Sequence, residues 1–225
     1  SKPKIPASTL DNTVLVLLSL LYRAERYDKL EADYKRYADR ISDKPISARV
    51  KYMMGMMLFD GERFTDAMPF FKAIRPPADT EVILDAAMRL ADCDYNLKRY
   101  KPALDRYAKI ADDHGNTKWG KEAQYASGLC KIKLGMPESA LKGFERFLQD
   151  NPDEPLARDV AMEAARLYLR QSDLDAAEQK LDFLERRNLE GAYVEENMRM
   201  RIKIWQKRGD ADKVLTLAKS HRGAY

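Results

Sequence analysis

The chain has 225 residues, 45% of them hydrophobic and 34% charged, with 40 Lys+Arg against 36 Asp+Glu for a net charge of +4. With 10 Gly, 10 Pro and 2 Cys, it falls outside the collagen-like, Pro/Gly-rich disordered and disulfide-stapled classes, and its apolar content suffices for a sizeable core. The longest strongly apolar run, Val14–Leu21, is far short of the roughly 20 residues that cross a bilayer, so direct membrane insertion is not expected.

The chain opens Ser1-Lys-Pro-Lys4 rather than on Met. That start reads as a processed chain or a piece of a longer one, so the lack of a visible signal peptide leaves the compartment open. From Val14 onward apolar residues recur with the 3.6-residue period of amphipathic helices, and strand patterns are nearly absent. The first helical stretch carries Leu18, and the second, Tyr27–Tyr34, carries Leu30.

From there a repeat runs along the chain. Segments with an aromatic, leucine or proline, a small residue three on and an apolar residue four beyond that read Phe64-Thr-Asp-Ala67-Met-Pro-Phe-Phe71, Tyr100-Lys-Pro-Ala103-Leu-Asp-Arg-Tyr107, Pro137-Glu-Ser-Ala140-Leu-Lys-Gly-Phe144 and Leu174-Asp-Ala-Ala177-Glu-Gln-Lys-Leu181. The alanines are 36, 37 and 37 residues apart, and 12 residues before each lies Gly55, Ala91, Gly128 or Ala165. Two small residues at a fixed offset are what a close helix crossing requires of its two partners. Gly61, Lys98-Arg99, Gly135 and Ser172-Asp173 punctuate the hairpins, and Pro69, Pro102 and Pro137 fall at or near the start of each second helix, where a missing N–H costs little. Longer connections follow at Arg75–Asp79, Asp113–Asn116 and Asn151-Pro-Asp-Glu-Pro155.

The register extends to both ends, where Leu18, Leu30, Ile202 and Val214 replace the small residues, as expected of capping units. The expected organisation is one all-α domain over residues 1–225, made of helix pairs at approximately 11–44, 45–79, 80–116, 117–153, 154–190 and 191–225. Met198–Ile204 alternates with period two and reads locally as a strand, but the repeat register places it in a helix.

These residues resemble the tetratricopeptide repeat family, with Gly128, Ala140, Phe144 and Pro152 of the fourth unit giving the best match. The resemblance covers roughly residues 12–221. It departs from the family's usual 34-residue period by two or three residues per unit and lacks the Trp early in the first helix. The 37-residue spacing and the Asn-Pro-Asp-x-Pro connection are similar to the bacterial cell-envelope branch, which includes the Tol–Pal periplasmic coordinator and the outer-membrane assembly lipoprotein. The resemblance implies a right-handed α-solenoid of about six antiparallel helix pairs. It also implies a non-catalytic protein-interaction scaffold, periplasmic or envelope-associated, with the cytoplasm as alternative. A self-associating structural array and an accessory domain of a larger protein remain open as other roles.

Laid onto the family's groove positions, the register offers Tyr52, Met56, Phe59, Met88, Tyr95 and Tyr125 in the earlier units, beside Arg49, Asp60, Asp85 and Asp92. In the later units it offers Arg166, Arg170, Arg199, Lys203 and Lys207. Tyr, Phe and Met suit hot spots and adaptable grooves. The expected partner is therefore a peptide or protein with apolar anchors at one end and an acidic stretch at the other. The competing reading is that Tyr52, Met56, Phe59 and Met88 pack between neighbouring helices.

Residues 151–196 carry 6 basic and 12 acidic side chains, whereas 197–225 carry 8 basic against Asp210 and Asp212. That basic end is either an electrostatic docking surface or a partner for the acidic repeat before it. Nucleic acid is disfavoured, because only Trp205 and Tyr225 could stack there. With His114 and His221 the only histidines, and without phosphate-loop, nucleophile-elbow or zinc spacing, no catalytic site, metal or cofactor is expected. Cys93 and Cys130 hold the same position in adjacent repeats. Equivalent points on packed helices lie about 8–10 Å apart, beyond the roughly 7 Å a disulfide spans, so two separate buried thiols are expected.

Overall fold

The computed structural model describes residues 7–41, 46–187 and 190–222, with side chains described for 12–39, 47–187 and 190–216. The expected unit boundary at 44–45 and the His221 side chain lie outside the described residues. Among the described residues there are twelve helices and no strand: α1 (Ala7–Arg23), α2 (Tyr27–Ile41), α3 (Ile46–Asp60), α4 (Phe64–Lys72), α5 (Thr80–Asn96), α6 (Tyr100–His114), α7 (Lys118–Lys133), α8 (Pro137–Asp150), α9 (Ala157–Arg170), α10 (Leu174–Glu185), α11 (Ala192–Arg208) and α12 (Ala211–Arg222). The alternating Met198–Ile204 stretch lies within α11, a helix whose buried stripe is Asn197, Met200 and Ile204. The chain divides into two compact units, residues 1–130 and 131–225.

In the first unit α1 packs on α2, α3 on α4 and α5 on α6, while α1, α3 and α5 lie side by side. The small residues read from the repeat sit at crossings: Ala67, Ala91 and Ala103 are fully buried. At Gly55 a Cβ would come within 2.6 Å of the Phe71 ring, which is why that aromatic faces glycine there. In the second unit α9 packs on α8 and α10, and α11 packs on α9, α10 and α12. Here Ala140, Ala165 and Ala177 are buried, as are Phe144 and Leu181.

Each hairpin turn is built the same way. Glu25, Glu62, Lys98, Gly135, Ser172 and Gly209 all have positive φ, between 54° and 78°. In each turn that residue's N–H bonds back three residues and the next N–H bonds back five, as in Lys98 N to Tyr95 O and Arg99 N to Asp94 O. This is the paired closure that caps a helix with a left-handed residue. The left-handed position in the second hairpin is Glu62, one residue past the Gly61 picked out by composition. Only two of the six positions are glycine, although the conformation penalises side chains.

One other expectation changes. Pro102 and Pro137 lie in the first turns of α6 and α8, but Pro69 sits six residues into α4, where it removes an internal hydrogen bond from a helix of 9 residues. Gly115 ends α6 in a right-handed rather than a left-handed conformation. The chain runs on almost directly into α7, where Thr117 donates to His114 O at 2.7 Å and accepts from Gly120 N at 3.1 Å. Gly120 lies so close to the end of α6 that a Cβ there would be 2.0 Å from His114 O.

Candidate functional site

In the first unit the first helices of three successive hairpins bound a groove of about 270 Å³, lined by Leu15 and Ser19 of α1, Arg49, Tyr52 and Met53 of α3, and Val82 of α5. Ser19 contributes little polarity, since its hydroxyl turns to Met53 Sδ at 3.6 Å. Arg49 is exposed. Tyr52 is half-buried, its ring edge-on to Phe71 at 6.0 Å, and burial raises its hydroxyl pKa above the ordinary phenol value.

Along α3 from the groove, Met56 and Phe59 are half-buried against the core. The Phe59 ring meets Phe64 edge-on at 5.2 Å and carries the Arg89 guanidinium 5.8 Å from its centroid. Tyr95 is edge-on to Tyr100 at 5.4 Å, and Tyr125 is half-buried. Met88 is 6% exposed and belongs to the core with Tyr107 and Trp119. The packing role weighed for Met88 is therefore the one the structure gives it, while Tyr52, Met56 and Phe59 each bury one side and expose the other.

The acidic groove positions are engaged internally. Asp85 accepts the Trp119 indole N–H at 2.5 Å. Asp92 accepts from the Tyr107 hydroxyl at 2.5 Å and from Arg89 at 2.6 Å. Burial raises the Asp92 carboxyl above the usual carboxylate range even though these two donors pull it down. The neighbouring thiols of Cys93 and Cys130 are free and buried, and burial pushes both up to about 12.

In the second unit several of the basic residues are already paired. Arg166 bonds Glu163 and reaches Glu196 at 3.3 Å, and Arg199 pairs with the same Glu196 at 3.0 Å. Arg201 pairs with Asp182 at 2.6 Å and Glu185 at 2.9 Å, and Arg208 bonds Asp175 and Glu178. The acidic α10 thus neutralises much of α11. Lys207 donates only to Ser172 Oγ at 3.1 Å and Leu169 O at 3.4 Å, and Arg170 and Lys203 are exposed. Among the described residues these three cations have no carboxylate partner.

Tetratricopeptide repeat models match residues 85–117 and 125–188. These two stretches are tetratricopeptide repeats. Solved structures agree on the fold. A Pseudomonas aeruginosa pilF structure is 14% identical with a TM-score of 0.67, covering 97% of this chain and 93% of its own. A tetratricopeptide repeat protein of Parabacteroides merdae is 16% identical with a TM-score of 0.70, covering 92% of this chain and 79% of its own. YrrB, described as a TPR protein with an unusual peptide-binding site, is 18% identical with a TM-score of 0.59, covering 87% of this chain and 90% of its own. No curated protein sequence matches the chain.

The chain therefore has an all-α tetratricopeptide-repeat fold, and proteins of this repeat family are generally non-catalytic scaffolds for protein–protein interaction. Among the described residues no group of His, Cys, Asp and Glu could hold a metal ion, and no helix is long and apolar enough to cross a membrane. Leu15, Ser19, Met53 and Val82 were not legible as groove residues. The first helix pair lacks the small-residue signature that anchors the register, and Met53 sits beside the expected face rather than on it.

Proposed function

We propose that this chain is a non-catalytic scaffold that binds a peptide or protein partner along its first helices. The observation that carries the reading is the groove between α1, α3 and α5, with apolar walls and the half-exposed Met56 and Phe59 beyond it. A preformed groove on packed helices loses little order on binding. Tyr52, Met56, Phe59, Tyr95 and Tyr125 supply the contact surface for apolar anchors, and Arg170, Lys203 and Lys207 supply charge for an acidic stretch. The chain acts as one array of six helix pairs, with the unit bounds read from the sequence. Its 37-residue spacing and Asn-Pro-Asp-x-Pro connection favour a place in a bacterial envelope or secretion-type assembly.

The test is affinity capture with the intact chain against a variant carrying Arg170→Glu, Lys203→Glu and Lys207→Glu, all at exposed positions that leave the core untouched. Partners held by the wild type and lost by the variant support the scaffold reading. An identical captured set refutes the part assigned to these cations. A second reading, self-association, is favoured by Val16 and Leu20, which are 56% and 58% exposed one turn apart on α1. Light scattering across concentration separates the two, since a scaffold stays monomeric.

A further inference from the structure

The groove of the first unit has a feature that apolar anchoring alone leaves unexplained. Its walls are Leu15, Met53 and Val82, with the Tyr52 ring and a Ser19 hydroxyl turned to sulfur, and its single charged lining residue is Arg49. Three other arginines of this unit are committed: Arg63 to Asp66 and Glu31, Arg89 to Asp92, and Arg106 to Asp94 at 2.8 Å. Arg49 is exposed, and among the described residues no carboxylate lies in pairing range of it. The acidic groove positions Asp85 and Asp92 are held by Trp119, Tyr107 and Arg89. An unpaired guanidinium at an apolar pocket is complementary to a large apolar side chain carried beside a carboxylate.

We infer that this groove, as a refinement that rests on the scaffold reading, recognises a peptide segment in which a Leu-, Met- or Phe-sized side chain fills the pocket and an adjacent Asp or Glu pairs with Arg49. The carboxylate belongs to a side chain rather than to a chain end. Arg49, Tyr52 and Met53, Met56, and Phe59 recur at helical spacing along α3, so a segment lying beside that helix meets the guanidinium first and apolar surface on the following turns. The pairing sets specificity. The apolar pocket accepts many side chains, and Arg49 rejects segments that place Lys or Arg beside the anchor.

The experiment selects a display library of random short peptides on the intact chain, then measures synthetic versions of the enriched sequences by fluorescence anisotropy. The expected enrichment is a large apolar residue with Asp or Glu within one helical turn. Arg49→Gln and the peptide's own Glu→Gln or Asp→Asn each weaken binding about tenfold, as loss of one charge-assisted hydrogen bond does. Arg49→Glu shifts preference to a Lys-bearing peptide, and amidating the peptide's C-terminus changes nothing. Because Arg49 is exposed, an unchanged urea midpoint confirms that the variants are folded. Enriched peptides without acidic residues, or binding indifferent to Arg49→Gln, overturn the inference and leave the scaffold reading standing. Loss of binding on amidation overturns the side-chain assignment. A library from which nothing is enriched overturns both the inference and the reading beneath it.

Discussion

Replacing Gly120 by alanine tests whether the close approach of α6 and α7 is real. A Cβ at this position would lie 2.0 Å from His114 O, 2.5 Å from His114 C and 2.7 Å from Gly115 Cα. All three are backbone atoms, so no side chain can swing aside. Real contacts of this kind stop near 3.0 Å, and the helix ends must part by roughly 1 Å. Overpacking at a site unable to relax costs about 3 kcal/mol, the upper part of the usual range, while Ala over Gly within a helix returns about 1 kcal/mol. The net loss is about 2 kcal/mol. The same exchange at Gly143, on the exposed face of α8 with nothing within 4 Å of the new Cβ, has only the favourable part and stabilises by about 1 kcal/mol. Urea unfolding followed by circular dichroism reads both, with the Gly120→Ala midpoint falling by about 1 M and the Gly143→Ala midpoint rising by about half that. A Gly120→Ala chain as stable as the wild type would refute the packing described for α6 and α7.

The turn geometry predicts opposite effects at equivalent positions: Lys98→Gly relieves a left-handed residue at φ 60° and stabilises by about 0.5–1 kcal/mol, whereas Gly135→Ala at φ 73° costs about 1 kcal/mol, both read from urea midpoints. Thr117→Ala removes the hydroxyl that accepts from Gly120 N and costs about 1 kcal/mol, with faster amide exchange confined to the first turn of α7. The buried thiols should be inert to a thiol reagent in the folded chain and should react as two equivalents on unfolding. Their folded pKa values, raised from 9.0 to about 12, mean that the folded chain keeps protons the unfolded chain releases. The stability they lend is thus complete below pH 9 and lost as pH climbs towards 12. A Cys93→Ala, Cys130→Ala chain should therefore show a shallower alkaline loss of stability than the wild type, and identical slopes would contradict the shift.

Spacing along the chain carried most of the architecture. The alanines at 67, 103, 140 and 177 and their partners 12 residues earlier located the helix pairs, because a close crossing tolerates no bulk and the same crossing recurs in every hairpin. The same register put Met198–Ile204 in a helix against its local alternation, since burial of Met200 and Ile204 against the preceding hairpin outweighs a short period-two pattern. Turn positions were legible only to within a residue, as with Glu62 beside Gly61. Glycine content signals a turn, but the hydrogen-bond closure decides which residue takes positive φ.

What the tertiary structure alone decided is who meets whom. The sequence places Met56 and Met88 at groove positions of successive units, yet one keeps a half-exposed face and the other is closed in by α5, α6 and α7. It counts eight basic residues after position 196, but only the packing of α10 on α11 shows that Arg201 and Arg208 are absorbed by Asp175, Glu178, Asp182 and Glu185. It shows Arg49 as one arginine among many, whereas the fold leaves it unpaired beside apolar walls. Helical period and small-residue spacing are local properties of the chain. Burial and ion pairing depend on residues far apart in sequence, 16 to 33 positions in the pairs of Arg201 and Arg208, brought together only when the helices pack.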